Sequence, residues 1–300
     1  MILNGVEKEV IMRNIQEILK FLREEVNEKN IDEVISVFTQ KLNEEGKDAN
    51  YFIDNDGNSF EIAIGENHSN GGFSSDQHFI ADNIKLRISN GMQSEPVYLQ
   101  VDETREAYRI LIDKVKESRI SNFFDLVKII YDTTVEYFGD TSEVIPNRAD
   151  YYENILDTDE TAYPCGKISD FKGKNMAACA ERAALSQNLM RFLGIESTYK
   201  VSKIKDGEKS DIHAYNLVSY HGKYYIFDST IPKVERDSSI TPIVAKIPHH
   251  VYEKLIIRDS DKDDVSVKTK YKSIRGIREI HYNSWSKNVI DMTSSGYDEV

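Results

Sequence analysis

The sequence predicts a protein of the α+β class, and three features lead to that prediction. Apolar residues recur at the spacing of an amphipathic helix in the segments 6–27, 31–45, 102–117 and 122–138. An alanine-rich run at 173–193 predicts a further helix, because alanine has the highest intrinsic helix propensity. Two apolar and aromatic runs, 211–220 and 223–230, flank the turn dipeptide His221-Gly222 and predict an antiparallel hairpin.

Residues 1–102 predict an α+β accessory region that contains the first two of these helices. Short strands are expected at 51–53 and 60–64 around the Asp-rich turn 54–58, and at 84–88 and 97–101 around Asn90-Gly91. The Asp-rich turn lacks the downstream glutamate and the ligand spacing of a calcium loop, so we expect no metal there. No motif in this region indicates its role.

The composition limits the classes of partner. The chain carries 38 Lys and Arg against 51 Asp and Glu, a net charge of −13, which disfavours nonspecific binding to nucleic acid or to an anionic membrane. Its two cysteines do not form a disulfide scaffold and suit a reducing compartment. The first residues are too acidic for a secretory signal, and no apolar run reaches the length of a membrane span. We therefore expect a cytoplasmic protein. Export without a cleaved signal and delivery into another cell stay open, and the sequence does not determine the oligomeric state.

Cys179 is the candidate nucleophile. The helix predicted around it has Asn175 as a favourable N-cap and a stop signal at Gly194, which places Cys179 about one turn into the helix. Peptide dipoles and free N–H groups at a helix start favour negative charge and lower the pKa of a thiol. A lone cysteine among alanines is also typical of a small buried hydrophobic residue. Cys165 is the rival nucleophile, although the proline and glycine beside it predict a turn rather than a helix start.

His213 and Asp228 are the candidate base and orienting carboxylate. A two-residue loop at His221-Gly222 pairs Tyr220 with Lys223. That register places His213 and Asp228 on the same face of neighbouring strands as diagonal neighbours, about 7–8 Å apart. A thiolate activated by an imidazole, whose ring a carboxylate holds, is the arrangement of a nucleophilic triad. A three-residue loop would break this relation.

Residues 170–232 resemble the core of the transglutaminase-like cysteine enzymes. The resemblance rests on the run CAERAAL at 179–185 with LGI at 193–195, on HAYN at 213–216, and on GKYYIFDST at 222–230. It implies a papain/transglutaminase-like core, in which a helix headed by the cysteine packs on an antiparallel sheet. It also implies Cys179 as nucleophile, His213 as base and Asp228 as orienter. Tyr215 stands where many members have tryptophan, and Ser229 where many have proline, so the subfamily stays open.

The resemblance implies a catalytic domain at 103–290. The polar ending SSGYDEV predicts a disordered tail, which we place at 291–300. The expected activity is cysteine-dependent acyl transfer at an amide of a protein or peptide substrate, for which no cofactor or metal is needed. The sequence does not choose between hydrolysis, deamidation and transamidation. The segment 139–174, with a short helix near Tyr151-Tyr152, is a candidate active-site flap, and Asn216 or Gln187 is a candidate for an oxyanion contact. The alternative is a non-catalytic transglutaminase-like protein-binding module.

Overall fold

The structure is a computed structural model. It describes residues 15–45, 50–53, 59–63, 84–88, 97–100, 104–139, 144–158, 165–235, 237–256, 265–274, 276–284 and 288–293. The helices in these ranges are α1 (Ile15–Glu24), α2 (Ile31–Glu45), α3 (Arg105–Glu117), α4 (Phe123–Phe138), α5 (Val144–Thr158), α6 (Cys179–Phe192) and α7 (His249–Ile256), with a 3₁₀ helix at Ile168–Phe171. The strands are β1 (Asn50–Ile53), β2 (Ser59–Ala63), β3 (Ile84–Ile88), β4 (Val97–Gln100), β5 (Cys165–Lys167), β6 (Glu196–Asp206), β7 (Lys209–Tyr220), β8 (Lys223–Val234), β9 (Ile240–Ile247), β10 (Ser266–Ser273), β11 (Gly276–Tyr282) and β12 (Val289–Thr293).

The described strands form two sheets. Strands β1 to β5 form a five-stranded sheet in chain order, and the others form a seven-stranded sheet in the order β12-β10-β11-β6-β7-β8-β9. Neighbours in the larger sheet are antiparallel except for the parallel pair β10–β12. Strand β10 also contacts β8, and the edge strand β12 contacts the opposite edge strand β9. The larger sheet is therefore strongly curved, and its two edges approach each other. Helices combined with a mainly antiparallel sheet confirm the α+β class.

The larger sheet separates two apolar cores. Helices α1 to α4 and α6 pack together against one face, and their buried residues form a single cluster with that face. The other face encloses a second cluster, to which α7 contributes. Side chains alternate along a strand, so Ala214 and Val218 of β7 enter the first core while Tyr215 and Leu217 enter the second. The sheet thereby joins the two halves of the molecule.

The helical periodicity correctly predicted α1 to α4, which lie within the four predicted segments. Helix α4 begins at a capping box: the Asn122 side chain accepts the Asp125 N–H at 3.0 Å, and the Asp125 carboxylate accepts the Asn122 N–H at 3.2 Å. The expected antiparallel pairs β1–β2 and β3–β4 are confirmed. Residues 6–14, the turn 54–58 and Asn90-Gly91 lie outside the described residues.

The segment 139–174, a candidate flap with a short helix near Tyr151-Tyr152, holds more regular structure than the sequence predicts. The segment contains the 15-residue helix α5, strand β5 and the 3₁₀ helix. Pro146 falls in the first turn of α5, where the missing N–H costs little. Tyr152 and Phe171 are fully buried, so α5 and the 3₁₀ helix pack into the protein. Strands β11 and β12 were also missed, because their apolar residues do not alternate regularly.

The sequence also predicts a disordered tail and a domain boundary. Residues 291–293 of the predicted tail form the end of β12, and residues 294–300 lie outside the described part. The domain boundary at residue 102 stays a prediction, while α1 and α2 from before it share a core with α3, α4 and α6. Within the described ranges, no helix has both the length and the apolar character needed to cross a membrane.

Candidate active site

Cys179 is the first residue of α6, so the predicted N-cap at Asn175 is wrong. Asn175 has a left-handed backbone, with φ 52°, and lies before the helix. The N-cap is Ala178, whose N–H donates to the Glu181 carboxylate at 2.9 Å. An alanine cap has no side-chain oxygen, and a glutamate from the first turn supplies an acceptor instead. The thiol therefore lies at the start of the helix, where the helix dipole favours a negative charge.

The end of α4 holds the segment that leads to Cys179. The Gly173 N–H donates to the Tyr137 carbonyl at 2.9 Å, and the Asn175 N–H donates to the Phe138 carbonyl at 3.0 Å. The fully buried Arg182 donates to the carbonyl of Gly139 and, at 3.1 Å, to that of Ala177. The carbonyls of Tyr137 and Phe138 belong to the last turn of α4, where carbonyl groups have no hydrogen-bond partner within the helix. One end of α4 thus fixes the start of α6.

The hairpin β7–β8 has the predicted register. Tyr220 pairs with Lys223, and both turn residues, His221 and Gly222, have positive φ, as a type I′ turn requires. The described pairing runs from this turn to the pair Asn216 and Phe227, and β7 does not pair with β8 beyond that point. His213 and Asp228 therefore lie where the two strands separate, and the start of α6 faces this opening.

Asp228 is fully buried and accepts four hydrogen bonds. Its Oδ2 accepts from His213 Nε2 at 2.7 Å and from the Tyr282 hydroxyl at 3.0 Å. Its Oδ1 accepts from the N–H groups of Thr230 at 2.9 Å and Ile231 at 3.3 Å. These two N–H groups lie where the β8–β9 register shifts, between Asp228 and Lys233, and a bulge leaves such groups unpaired. Asp228 thus compensates the bulge and orients the imidazole.

Cys179 and His213 form the other half of the site. Their side chains are hydrogen-bonded to each other, and because Nε2 faces Asp228, the ring nitrogen left for the thiol is Nδ1. Burial by itself raises the pKa of the Cys179 thiol, but the charge and hydrogen bond of His213, the Ala214 N–H and the charge of Arg148 lower it below its ordinary value. Cys179 keeps part of its surface exposed, as a nucleophile must.

The pKa of His213 moves in the opposite direction. Burial disfavours the charged ring, but the negative charges of Asp228 and Cys179, with their hydrogen bonds, raise the pKa of His213 well above its ordinary value. A thiol with a lowered pKa beside an imidazole with a raised pKa favours the thiolate–imidazolium pair at neutral pH. Such a pair places a reactive nucleophile and a proton donor side by side.

A buried ionic cluster supports the start of α6, and the sequence analysis does not predict it. Arg148 of α5 donates to Glu181 through Nε at 3.1 Å and Nη2 at 2.9 Å. The Tyr152 hydroxyl donates to the same carboxylate at 2.8 Å, and the Arg148 guanidinium lies 4.9 Å from the Tyr152 ring centre. Glu181 is fully buried and Arg148 is 8% exposed. Only the position of Glu181 two residues after Cys179 could have drawn attention to it.

The other candidate residues lie apart from the triad. Cys165 belongs to β5 of the five-stranded sheet, whereas His213 and Asp228 belong to the seven-stranded sheet. Asn216 is fully buried and donates to the Ala183 carbonyl of α6 at 3.1 Å, so it ties the helix to the sheet. Gln187 is fully buried two turns further along α6.

No protein-family model and no curated protein matches the chain. The resemblance to the transglutaminase-like enzymes therefore stays a prediction. Among the described residues, no group of three or more His, Cys, Asp or Glu side chains is arranged to hold a metal ion.

Proposed function

We propose that the protein is a cysteine-dependent acyl-transfer enzyme of the papain/transglutaminase-like type, which acts on an amide of a protein or peptide. The observation that carries this proposal is the shared imidazole of His213. Its Nε2 lies 2.7 Å from Asp228 Oδ2, while the ring is also hydrogen-bonded to Cys179 at the start of a helix. Nucleophile, base and orienting carboxylate thus follow one another in the order that covalent catalysis by a thiol requires.

The first half of the reaction forms a thioester. The Cys179 sulfur attacks the carbonyl carbon of the amide, and a carbon–sulfur bond forms as the carbonyl oxygen becomes an oxyanion. The carbon–nitrogen bond then breaks, and the His213 imidazolium gives its proton to the leaving amine. Asp228 keeps the ring in the orientation for this transfer and stabilises its positive charge while it is protonated.

The second half releases the acyl group to an acceptor. Neutral His213 takes a proton from water or from a primary amine, which attacks the thioester carbonyl, and Cys179 leaves as the thiolate. Water gives hydrolysis of a peptide bond or deamidation of glutamine, and an amine gives cross-linking. No cofactor takes part in either half.

The backbone N–H of Cys179 is our proposed donor to the oxyanion. It belongs to the first turn of α6, where N–H groups have no carbonyl partner within the helix. It also belongs to the residue whose sulfur attacks the carbonyl, so it lies close to the reacting carbon. This proposal replaces the side chains of Asn216, which donates to the Ala183 carbonyl, and of Gln187, which is fully buried two turns further along α6.

The test is the product formed from a glutamine-rich protein such as casein in the presence of dansylcadaverine. We expect a product with the wild-type protein and with Cys165→Ala, and none with Cys179→Ala. Incorporation of the amine indicates transamidation, a gain of about one dalton at glutamine indicates deamidation, and backbone fragments indicate proteolysis. Absence of all three products, with Cys179 no more reactive than Cys165 towards iodoacetamide, would contradict the proposal and favour a protein-binding module.

A further inference from the structure

We propose that Tyr282 is a positioning residue of the triad, whose hydroxyl shares Asp228 Oδ2 with His213 and holds the carboxylate towards the imidazole. This inference rests on the proposed function of Cys179, His213 and Asp228. The Tyr282 hydroxyl donates to Asp228 Oδ2 at 3.0 Å, and His213 Nε2 lies 2.7 Å from the same oxygen. Two donors therefore meet at one carboxylate oxygen.

The surroundings keep Tyr282 in place as a donor. Tyr282 and Asp228 are both fully buried, so bulk water does not compete for the shared oxygen. Burial and the negative charge of Asp228 raise the pKa of Tyr282 well above its ordinary value, and the phenol therefore stays protonated. Its hydroxyl can only donate to the carboxylate.

The ring of Tyr282 is fixed by the second core. It packs edge-on against Tyr215, with ring centres 4.8 Å apart, and the Tyr215 hydroxyl accepts a hydrogen bond from Ser202 at 3.1 Å. On either side, the Tyr282 backbone pairs with β10 and with β6. A residue 54 positions after Asp228 is thus held rigidly against it. Neither its ring nor its backbone can turn the hydroxyl away without disturbing the sheet.

The shared oxygen couples Tyr282 to the protonation of His213. When one donor is removed from a carboxylate oxygen, the remaining donor forms a stronger hydrogen bond, and here that donor is the imidazolium. The protonated ring is then favoured, and His213 loses its proton at a higher pH. Among the described residues, the other titratable side chains that act on this pair are Cys179, Tyr215 from β7 and Tyr271 from β10.

The direct test is Tyr282→Phe, which removes the hydroxyl and keeps the ring against Tyr215. Its matched control is Tyr271→Phe, which removes a buried phenol of the same core. The Tyr271 hydroxyl has no hydrogen-bond partner among the described residues, and its raised pKa keeps it uncharged while His213 titrates, so its loss changes neither a hydrogen bond nor a charge at Asp228. The pH at which His213 titrates is measured by NMR of histidine labelled in the ring. We expect Tyr282→Phe to raise that pH by roughly half a unit to one unit, and Tyr271→Phe to leave it as in the wild type.

A second variant keeps the inference testable if Tyr282→Phe fails to fold. Replacement of Tyr282 by 3-fluorotyrosine retains the hydroxyl and makes it a stronger donor, so the His213 titration should move to lower pH. A titration of His213 that matches the wild type in the fluorinated protein, and in a folded Tyr282→Phe, would overturn the inference. The NMR titration needs no acyl substrate, so it gives an answer even if no acyl-transfer product is found.

Discussion

At the scale of single residues, burial and charge act in opposite directions on Cys179. An isolated thiol in a low-dielectric site keeps its proton, because the thiolate loses its hydration. His213 and the Ala214 N–H donate to the sulfur, and Arg148 adds a positive charge, so the thiolate is favoured in spite of burial. Cys165 lies in the other sheet, away from His213 and Asp228. The two cysteines should therefore differ strongly in reactivity.

We predict that Cys179 reacts with iodoacetamide at mildly acidic pH, well below the ordinary thiol pKa of about 8.5. His213→Ala should raise the pKa of Cys179, since burial remains while the positive charge and the hydrogen bond are lost. Mass spectrometry of the two cysteine peptides, as a function of pH, measures both rates in one sample. Equal rates for Cys165 and Cys179 at pH 6 would contradict this prediction.

Burial and charge also act in opposite directions on Glu181, the buried partner of Arg148. Burial alone raises the pKa of the Glu181 carboxyl, but the charge and hydrogen bonds of Arg148 and the Tyr152 hydroxyl lower it below its ordinary value. A group with a lowered pKa in the folded state stabilises the protein above its unfolded pKa, and this stabilisation is lost as the pH falls through the folded pKa. The cluster should therefore stabilise the protein at neutral pH and lose this contribution in acid, where Glu181 is protonated.

We predict that Arg148→Met lowers the free energy of unfolding by about 3–5 kcal/mol at neutral pH, because it leaves a buried carboxylate without its partner. In this variant the Tyr152 hydrogen bond remains but the positive charge is lost, so burial raises the pKa of Glu181 above its wild-type value. The loss should therefore shrink as the pH falls and the carboxyl is protonated. The control is Lys114→Met, which breaks the partly exposed Lys114–Glu136 pair, 2.6 Å long, and should cost at most about 1 kcal/mol. Urea unfolding at several pH values measures the free energy of unfolding of both variants. An equal loss in the two variants would contradict the stabilising role of the Arg148–Glu181 cluster.

At the scale of elements, the site depends on a close contact between the end of α4 and the approach to α6. Gly139 has a positive φ of 86°, and a β-carbon built there would lie 1.9 Å from Asn175 Oδ1. A glycine is required at this position both by its backbone conformation and by the space around it. The contact places the end of one helix directly against the residues that precede Cys179.

We predict that Gly139→Ala destabilises the protein and slows alkylation of Cys179. The control is Gly207→Ala, at φ 62° in the turn between β6 and β7, where nothing lies within 4 Å of the new β-carbon. Both changes introduce backbone strain of about 1–3 kcal/mol, and the strain is larger at Gly139, because its φ of 86° and ψ of −173° define a conformation that essentially only glycine adopts. Only Gly139→Ala also displaces Asn175. Asn175→Gly in the Gly139→Ala background should restore part of the alkylation rate. Similar alkylation rates in the two alanine variants would argue against this contact.

At the scale of the whole molecule, the first core crosses the predicted domain boundary. Phe38 of α2 lies 4.6 Å from Phe192 of α6, measured between ring centres. A β-carbon at Gly194 would lie 2.8 Å from Ile18 of α1, so α1 packs directly on the turn after α6. Strand β4 also pairs with β5. The helix that carries Cys179 is therefore buried in part by residues from the region 1–102.

We predict that the fragment 103–290 does not fold by itself, because removal of α1 and α2 exposes the apolar side of α6. In the full chain, Phe38→Ala should cost about 3–5 kcal/mol through the cavity that it leaves. Thermal unfolding followed by circular dichroism shows whether the fragment folds cooperatively and how much stability the full chain loses with Phe38→Ala. A cooperative transition for the fragment at the temperature of the full chain would show that the region 1–102 is dispensable for folding.

The sequence by itself determined the features that depend on neighbours along the chain. Apolar periodicity placed α1 to α4, since a helix that packs on a core repeats its apolar face every three to four residues. The dipeptide His221-Gly222 fixed the register of β7 and β8, and that register put His213 and Asp228 on one face. Turn chemistry and strand alternation act over a few residues, so a single sequence carries them.

Only the tertiary structure decided the start of α6 and the surroundings of the triad. Local propensity favours Asn175 as the cap. Hydrogen bonds that Gly173 and Asn175 donate to the end of α4, together with the Glu181 side chain, instead set the helix start at Cys179. Arg148 and Tyr282 reach the site from segments 31 residues before Cys179 and 54 residues after Asp228. Such contacts depend on how α5 and β11 pack against distant elements, and no local pattern in the sequence encodes that packing.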